Sequence, residues 1–246
     1  MIPVYYDLHI HSALSPCADD DMTPNDIVGM ALLNGLDLIA VTDHNSFSNV
    51  ESVVKAAGAA QSAGSRQGKE LIVLPGIEVS TEEEVHVLCL FSDLETSRIF
   101  ESKLSPFYST LLNRVDIFGS QLIIDRSDQK IGEEDRLLIA ATSISFDSLF
   151  FLVHECGGAF IPAHVDRDSF SVLSNLGFLP PHLPISTVEV STAGVENGFD
   201  KQNAELFSQY RVVFSSDAHQ LWNISEKDHF LMLPELSAKA AIDFLR

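Results

Sequence analysis

The residues able to do chemistry are unevenly placed along the chain. His9 and His11 stand two apart in VYYDLHIH. On a β-strand that spacing sends both imidazoles, and Asp7 with them, from one face. His44 follows Asp43 after LIAVTD, Glu78 sits in PGIEV, His86 in EVHVL, His164 ends FIPAH, and Asp217 and His219 follow VVFSS. Each lies at or next to the end of a short apolar run. A single histidine at such a place is usually an ordinary hydrogen-bonded residue, and His154, His182 and His229 are read that way. Six imidazoles and two carboxylates at equivalent places are a different matter. Neutral nitrogen and anionic oxygen donors brought to one spot are what Zn²⁺, Mn²⁺ or Fe²⁺ require. Asp7 and Asp43 neighbour ligand candidates and are placed to accept a ring N–H and fix the coordinating tautomer; the alternative is that they cap local turns. Cys17 is read as a loop thiol, with metal contact as its less favoured use, and Cys89 and Cys156 as small core residues. Glu82, Glu83 and Glu84 read as a solvated turn.

For these donors to converge, the apolar runs must be strands of one sheet. The candidates are Val4–His9, Leu38–Thr42, Leu71–Ile77, Val85–Phe91, Ala159–Ala163, Thr187–Val190 and Val212–Ser215, several of them apolar on both faces as buried parallel strands are. Helices lie between. Thr23 reads as an N-cap with Pro24 at the first helical position and Gly35 as the stop. Ser48 to Glu51 has capping-box spacing and opens an Ala-rich helix to about Gly64. Phe146 to Glu155 closes on Gly157-Gly158, and Ser237 to Leu245 forms a last short helix. This alternation predicts a parallel α/β architecture closed or nearly closed into a barrel, a fold that carries its site at the strands' C-terminal ends. Residues 93–145 break the rhythm with a helical piece (Ser97–Val115), an apolar run (Gln121–Ile124) and the polar segment RSDQKIGEED. They read as an insertion over the site end of one domain spanning 1–246.

Charge and cysteine count narrow the setting. With 35 Asp and Glu against 15 Lys and Arg, the formal net charge is −20. That balance argues against a generic polyanion or anionic-membrane surface, although carboxylates gathered around bound cations account for part of the excess. Three cysteines make no disulfide framework. The first residues lack the basic and apolar regions of a secretory leader, and no apolar run is long enough to span a bilayer. The expected setting is cytoplasmic.

The blocks DLHIHSALSP, VTDHN, LPGIEVS with EVHVL, IPAHVDR and FSSDAH resemble, in the same order, those of the PHP (polymerase and histidinol phosphatase) family of metal-dependent phosphoesterases. The resemblance covers about residues 5–50, 71–91 and 159–220 and implies a distorted (β/α)7 TIM-like barrel holding two or three divalent transition metals (Zn, Mn or Fe). Carried over by residue, it implies a first metal on His9, His11, Glu78 and Asp217, and a second on Glu78, His86 and His164. A third would sit on His44, His219 and an acid of the first loop. Counting back from Thr23 lands on Asp19, with Asp20 and Asp21 as alternatives.

Such a centre hydrolyses phosphate esters. Paired cations neutralise the phosphate oxygens and lower the pKa of water, so a metal-bound hydroxide is the expected nucleophile. No GxSxG motif is present. The catalytic roles then fall to Glu78 as a bridge between two metals, Asp217, His219, and Arg167 as the basic residue that meets phosphate. The expected substrate is a small phosphorylated metabolite or nucleotide, turned over with higher kcat/KM than a ten-nucleotide strand. The alternatives are a nuclease or phosphodiesterase acting on short nucleic-acid ends, and a non-catalytic metal-binding regulatory domain. No long nucleic acid and no membrane are expected as partners, and the sequence sets no oligomeric state.

Overall fold

The computed structural model of the chain describes residues 1–62 and 70–246. Among them are ten strands: β1 (Ile2–Ile10), β2 (Leu38–Val41), β3 (Ile72–Ser80), β4 (His86–Leu90), β5 (Leu122–Ile124), β6 (Lys130–Glu133), β7 (Ala159–Pro162), β8 (Thr187–Ser191), β9 (Arg211–Ser215) and β10 (Phe230–Leu233). The longer helices are α1 (Pro24–Leu33), α2 (Val50–Ser62) and α3 (Leu94–Leu104). After the single turn α4 (Val115–Phe118) comes α5 (Phe146–Glu155). Four more short turns, α6 to α9 (Val172–Asn175, Thr192–Glu196, Phe199–Gln202 and Ala204–Phe207), precede the last helix, α10 (Ala238–Leu245). The Gly64 end expected for α2 lies outside the described residues.

Seven strands form the ring of a distorted TIM-like barrel. β1 pairs in parallel with β2, and β2 with β3. β4 then runs antiparallel to both β3 and β7, and β8 pairs in parallel with β9. Backbone bonds close the two remaining seams: Val165 N–H donates to Glu189 O at 2.9 Å, and His11 N–H to Ala218 O at 2.9 Å. β10 lies outside the ring, antiparallel to the first half of β1. The sheet is therefore mixed, not parallel as the alternation predicts. The reason is local: β3 and β4 are joined by a tight turn, where Thr81 N–H donates to Val85 O and Glu84 holds φ 57°. Five residues cannot make the crossover that a parallel neighbour needs. The reversal has a consequence for the site. His86, at the start of β4, arrives at the same barrel end as residues at the ends of the other strands.

Alternation along the strands sorts side chains into two cores. Leu8, Leu38, Ala40, Leu74, Leu88 and Ile161 are fully buried inside the ring, and Ala241, Ile242 and Leu245 of α10 close its other end. Ile39, Val41, Ile77, Val79 and Val188 face outward into a layer with α1, α2, α3 and α5. The inward series on β2 and β3 continues past the apolar layers to His44 and Glu78. On β1 the phase slips: Tyr6 and Leu8 belong to the inner core and Ile10 to the outer, across a register shift between Asp7 and Ile10. The slip turns His9 and His11 inward and separates them from Asp7, whose carboxylate accepts instead from Ser216 and Ser225.

The helices follow their sequence signals except in the middle of the chain. α5 spans the expected residues, capped by Ser145 accepting from Ser148 N–H. α3 starts earlier than expected, where Asp93 accepts from Thr96 N–H at 2.8 Å, and stops at Leu104 because Ser105-Pro106-Phe107 tightens into a 3₁₀ turn. Phe100 and Leu104 are buried in the outer core, so α3 is a helix of the barrel wall. Residues 108–145 are what reaches across the loops. Leu122 N–H donates to Ala13 O, Ile124 N–H to Asn49 Oδ1, and Asn45 Nδ2 to Leu138 O.

A Cβ at Gly76 would lie 2.7 Å from Thr42 Cγ2 and 2.9 Å from both Leu90 Cδ2 and Val41 O. The backbone oxygen has little room to give, and overpacking of this kind costs about 1–3 kcal/mol. Gly76→Ala should therefore lower Tm by several degrees in a thermal unfolding scan; an unchanged Tm would mean that β2 and β3 separate freely at this point.

Candidate metal centre

Eight of the nine proposed ligands converge at the barrel mouth. Two of them arrive there through backbone that non-glycine residues rarely adopt: His164 holds φ 31° and Asp217 φ 52°. At His164 this breaks the alternation that buries Ala159, Ile161 and Ala163, and swings the next imidazole inward. The Glu78 carboxylate, 1% exposed, is the hub. Its oxygens lie 3.4 Å from His9 Nε2, 3.4 Å from His11 Nε2, 2.9 Å from His44 Nδ1, 3.0 Å from His86 Nδ1 and 3.2 Å from His164 Nε2. Asp217 Oδ1 stands 3.2 Å from His9 Nε2 and 3.1 Å from His11 Nε2. The potential ligand atoms fall into three close groups: His9, His11 and Asp217; His44, Glu78 and His86; and His11, His44 and His219.

The hydrogen bonds around the rings present bare nitrogen lone pairs to these groups. His9 Nδ1–H donates to Glu189 Oε2 at 2.9 Å, and His11 Nδ1–H to Ser15 Oγ at 2.9 Å. Ser15 in turn donates to Asp43 Oδ1. With both Nδ1 protons committed, His9 Nε2 and His11 Nε2 face each other at 3.1 Å, and only a proton or a cation between them makes that contact favourable. His44 Nδ1 and Glu78 Oε2 are buried without a hydrogen-bond partner. Orphaned buried donors beside three enclosed carboxylates, Glu78, Glu189 and Asp217, are what a site for divalent cations looks like before its charge is balanced.

The balance of burial against neighbouring charge tells the same story. Burial opposes charge on every group, yet His86, His9 and His44 hold the Glu78 carboxyl well below its usual range. Burial likewise would lower His9, but Glu189, Asp217 and Glu78 raise it well above its ordinary value. Burial and the neighbouring His219 keep His11 low. Burial would lower His44 too, but Glu78 and the neighbouring Cys17 together raise it to about 10. Protons on His9 and His44 thus stand where cations would.

The remaining expected site residues divide. His219 belongs to the third group, its Nδ1–H donated to Asp217 O at 2.8 Å. Arg167 reaches Asp217 Oδ2 at 2.6 Å, instead of pairing with Asp166 or Asp168. Asp19 falls outside the three groups: it is half-buried and its Oδ2 accepts from Gln220 Nε2 at 3.1 Å, while Asp20 and Asp21 are exposed. Asp7 orients no ring, and Asp43 does so only through Ser15. Glu189 is the residue that sequence reasoning missed. Its signal is a carboxylate at an inward position of the apolar strand TVEVS. A cavity of about 260 Å³ opens over the site, walled by Cys17, Ile139, Arg167 and Phe170 beside the histidines. The Phe170 ring, 44% exposed, stacks on His86 at 4.8 Å between centroids. His154, His182 and His229 lie elsewhere, against Phe150, Asp147 and Phe214.

Comparison with known proteins places this geometry. The family model described as PHP domain matches residues 7–176, more than half of the chain. The 5′-3′ exoribonuclease Rnm of Escherichia coli (strain K12) is 33% identical over 181 residues, 72% of this chain and 57% of the relative. The Salmonella typhimurium exoribonuclease of the same name is 34% identical over 94 residues, 29% of its length. The chain thus spans little more than half of one of these relatives and under a third of the other. Among solved structures, the lesion-specific endonuclease PfuEndoQ of Pyrococcus furiosus superposes with a TM-score of 0.67 at 19% identity, covering 99% of this chain and 56% of that one. A two-domain protein of Bacteroides vulgatus, described as containing a "predicted PHP-like metal-dependent phosphoesterase", gives 0.53 at 16% identity over 99% of this chain and 62% of its own. At these identities the structural likeness concerns the fold.

Two outcomes follow for metal uptake. Cations take neutral imidazole, so loading must expel the protons on His9 and His44. Affinity should then climb between about pH 6 and 9, with at least roughly one proton released per chain. Titration calorimetry in buffers of different ionisation enthalpy reads this directly, and proton-neutral binding would contradict the assignment. Glu189→Gln removes the anionic acceptor behind His9 and should weaken metal affinity about 10–100-fold without unfolding the barrel.

Proposed function

The chain belongs to the PHP domain family of metal-dependent hydrolases, and within it we propose a nuclease that acts on the 5′ ends of short nucleic-acid strands. The donor constellation supports phosphoester hydrolysis. The choice between a phosphatase for small metabolites and a nuclease rests on one observation: the curated relatives are exoribonucleases, and one of them aligns with most of this chain. That relation reverses the order expected from composition, in which the small phosphomonoester came first.

Divalent cations held here would screen the phosphate oxygens and activate water for attack at phosphorus. His9, His11, Glu78 and Asp217 are proposed as one ligand set, Glu78, His86 and His164 as a second, and His44 with His219 and His11 as the core of a third. Glu78 belongs to the first and second of these proposed sets, so its carboxylate would hold charge common to the two. Glu189 and the Ser15–Asp43 pair hold His9 and His11 in the coordinating tautomer. Arg167, whose side chain is 46% exposed on the cavity wall, is positioned to pass its guanidinium from Asp217 to an incoming phosphate. Phe170 offers the open face of its ring beside the site, where a base stacks for about 1–3 kcal/mol. Residues 108–145 lie over the mouth, narrowing it toward strand ends over duplex interiors.

The acidic surface is compatible with this reading. Beyond about 8 Å the exposed charges are screened at physiological salt. Two or three divalent cations against Glu78, Glu189 and Asp217 leave the pocket itself electropositive.

A panel of reconstituted enzyme on a 5′-phosphorylated ten-nucleotide RNA and on a mononucleotide phosphomonoester decides the matter. The RNA should show the higher kcat/KM. The opposite ranking would return the protein to the phosphatases and leave the metal chemistry standing. Glu78→Gln should abolish both activities with circular dichroism unchanged. Phe170→Ala should raise KM for the RNA about 10-fold while leaving hydrolysis of a base-free phosphodiester within twofold of wild type.

A further inference from the structure

We propose that Asp7, Asp43 and Asp166 are positioning residues for the metal centre. Each grips one serine of a neighbouring loop and so fixes two site residues of adjacent strands relative to each other. This inference rests on the metal-centre reading above.

One contact recurs three times at the barrel mouth. Asp43 Oδ1 and Oδ2 accept from Ser12 N–H at 2.7 Å and from Ser12 O–H at 2.6 Å. Asp166 accepts in the same way from Ser191, at 2.7 and 2.6 Å. Asp7 accepts from Ser216, at 3.1 and 2.6 Å. In each case the serine oxygen also accepts a backbone N–H of its own loop, from Leu14, Gly194 and Ala218 respectively. The single hydroxyl proton is thereby directed at the carboxylate. Two bonds from one serine to both oxygens of one carboxylate set angle as well as distance, and the charged acceptor strengthens them. Gly194 keeps room for one of these brackets, since a Cβ there would lie 2.7 Å from Asp166 Cγ.

The brackets occupy the junctions that the sheet leaves loosest. β2–β3, β3–β4, β4–β7 and β8–β9 are joined by ladders without a register shift. β1 and β2 pair across a shift between Asp7 and Ile10, and above it Ser12 meets Asp43. No ladder joins β7 to β8 or β9 to β1 among the described residues. There Asp166 meets Ser191, and Asp7 meets Ser216.

Every bracket residue stands one or two positions from a residue of the centre. Ser12 follows His11 and Asp43 precedes His44, whose ring centroids lie 4.6 Å apart. Ser216 precedes Asp217 and Asp7 stands two before His9, and these two ligand candidates meet at 3.2 Å. Asp166 stands two after His164 and Ser191 two after Glu189, which accepts His164 N–H at 3.0 Å. Each bracket thus serves a different proposed ligand set. Asp43 serves the one with His44 and His219, Asp7 the one with His9 and Asp217, and Asp166 the one with His86 and His164. Ligands ordered in advance in this way bind a cation without first losing their freedom to it.

Equilibrium dialysis of the whole chain against buffered Co²⁺, with bound cobalt read by elemental analysis, tests this. Ser216→Ala, Ser12→Ala and Ser191→Ala should each weaken one cation about 10–100-fold and leave the others within about threefold. At the lowest free cobalt that saturates wild type, each variant then binds one ion fewer, and a variant lacking two of the serines binds two fewer. Asp7→Asn should match Ser216→Ala, and the double variant should be no weaker than the worse single one, because the pair acts as a unit. Near-ultraviolet circular dichroism reports folding. The three brackets are read separately, so a variant that fails to fold leaves the other two to decide. Folded single variants that keep the full load overturn the inference and leave the metal centre standing. Loss of all ions together from a folded variant, or additive losses from Asp7→Asn and Ser216→Ala, overturns it equally. A wild type that takes up no cobalt overturns both this inference and the metal centre on which it rests.

Discussion

A buried carboxylate ringed by imidazoles sets the terms for everything else. Glu78 sits within 3.4 Å of five histidine rings in a pocket that meets water only at its mouth, so solvent balances little of its charge or theirs. The protein must supply fixed acceptors behind the rings and mobile positive charge between them. Glu189 and Ser15 are the acceptors; protons or divalent cations are the charge. The outer α-helical layer, the apolar filling of the lower barrel and the α10 plug isolate this one polar level from water on every side but the mouth.

The barrel itself is largely visible in the sequence. Runs such as Leu38–Thr42 and Ala159–Ala163 are too apolar to be anything but buried strands, and the histidines at their ends mark the functional face before any coordinate is known. What is hidden depends on phase and direction. Strict alternation puts Asp7 on the His9 face, and only the register shift in β1 separates them. Nothing in EVHVL announces a reversed strand, since the apolar pattern of a strand buried on both faces reads the same in either direction. Glu189 could be found by asking why an acid interrupts TVEVS. The exposure of Asp20 and the turning of Asp19 toward Gln220 depend on turn geometry after Ser15, which the string SPCADDD does not encode.

Composition and the curated relatives point to different substrates. A formal charge of −20 describes the far field, and it argues soundly against a surface that grips a long polyanion. Catalysis on a strand end is a near-field matter. On the proposed reading, cations held against three carboxylates would decide the sign there, and one arginine with an aromatic ring would orient one nucleotide. An acidic surface is therefore no bar to the proposed activity on a strand terminus.

The closure of the ring between β1 and β9 also governs when the centre can come into being. His9 meets Glu189 and Asp217, and Ile10 bridges to Ala218, across separations of about 200 residues. Most of the chain must leave the ribosome before the first strand finds its second neighbour, and until then His9 lacks its acidic partners. High contact order of this kind slows folding. A cation held by these residues would then be captured late, by a nearly finished barrel, and would not guide its nucleation.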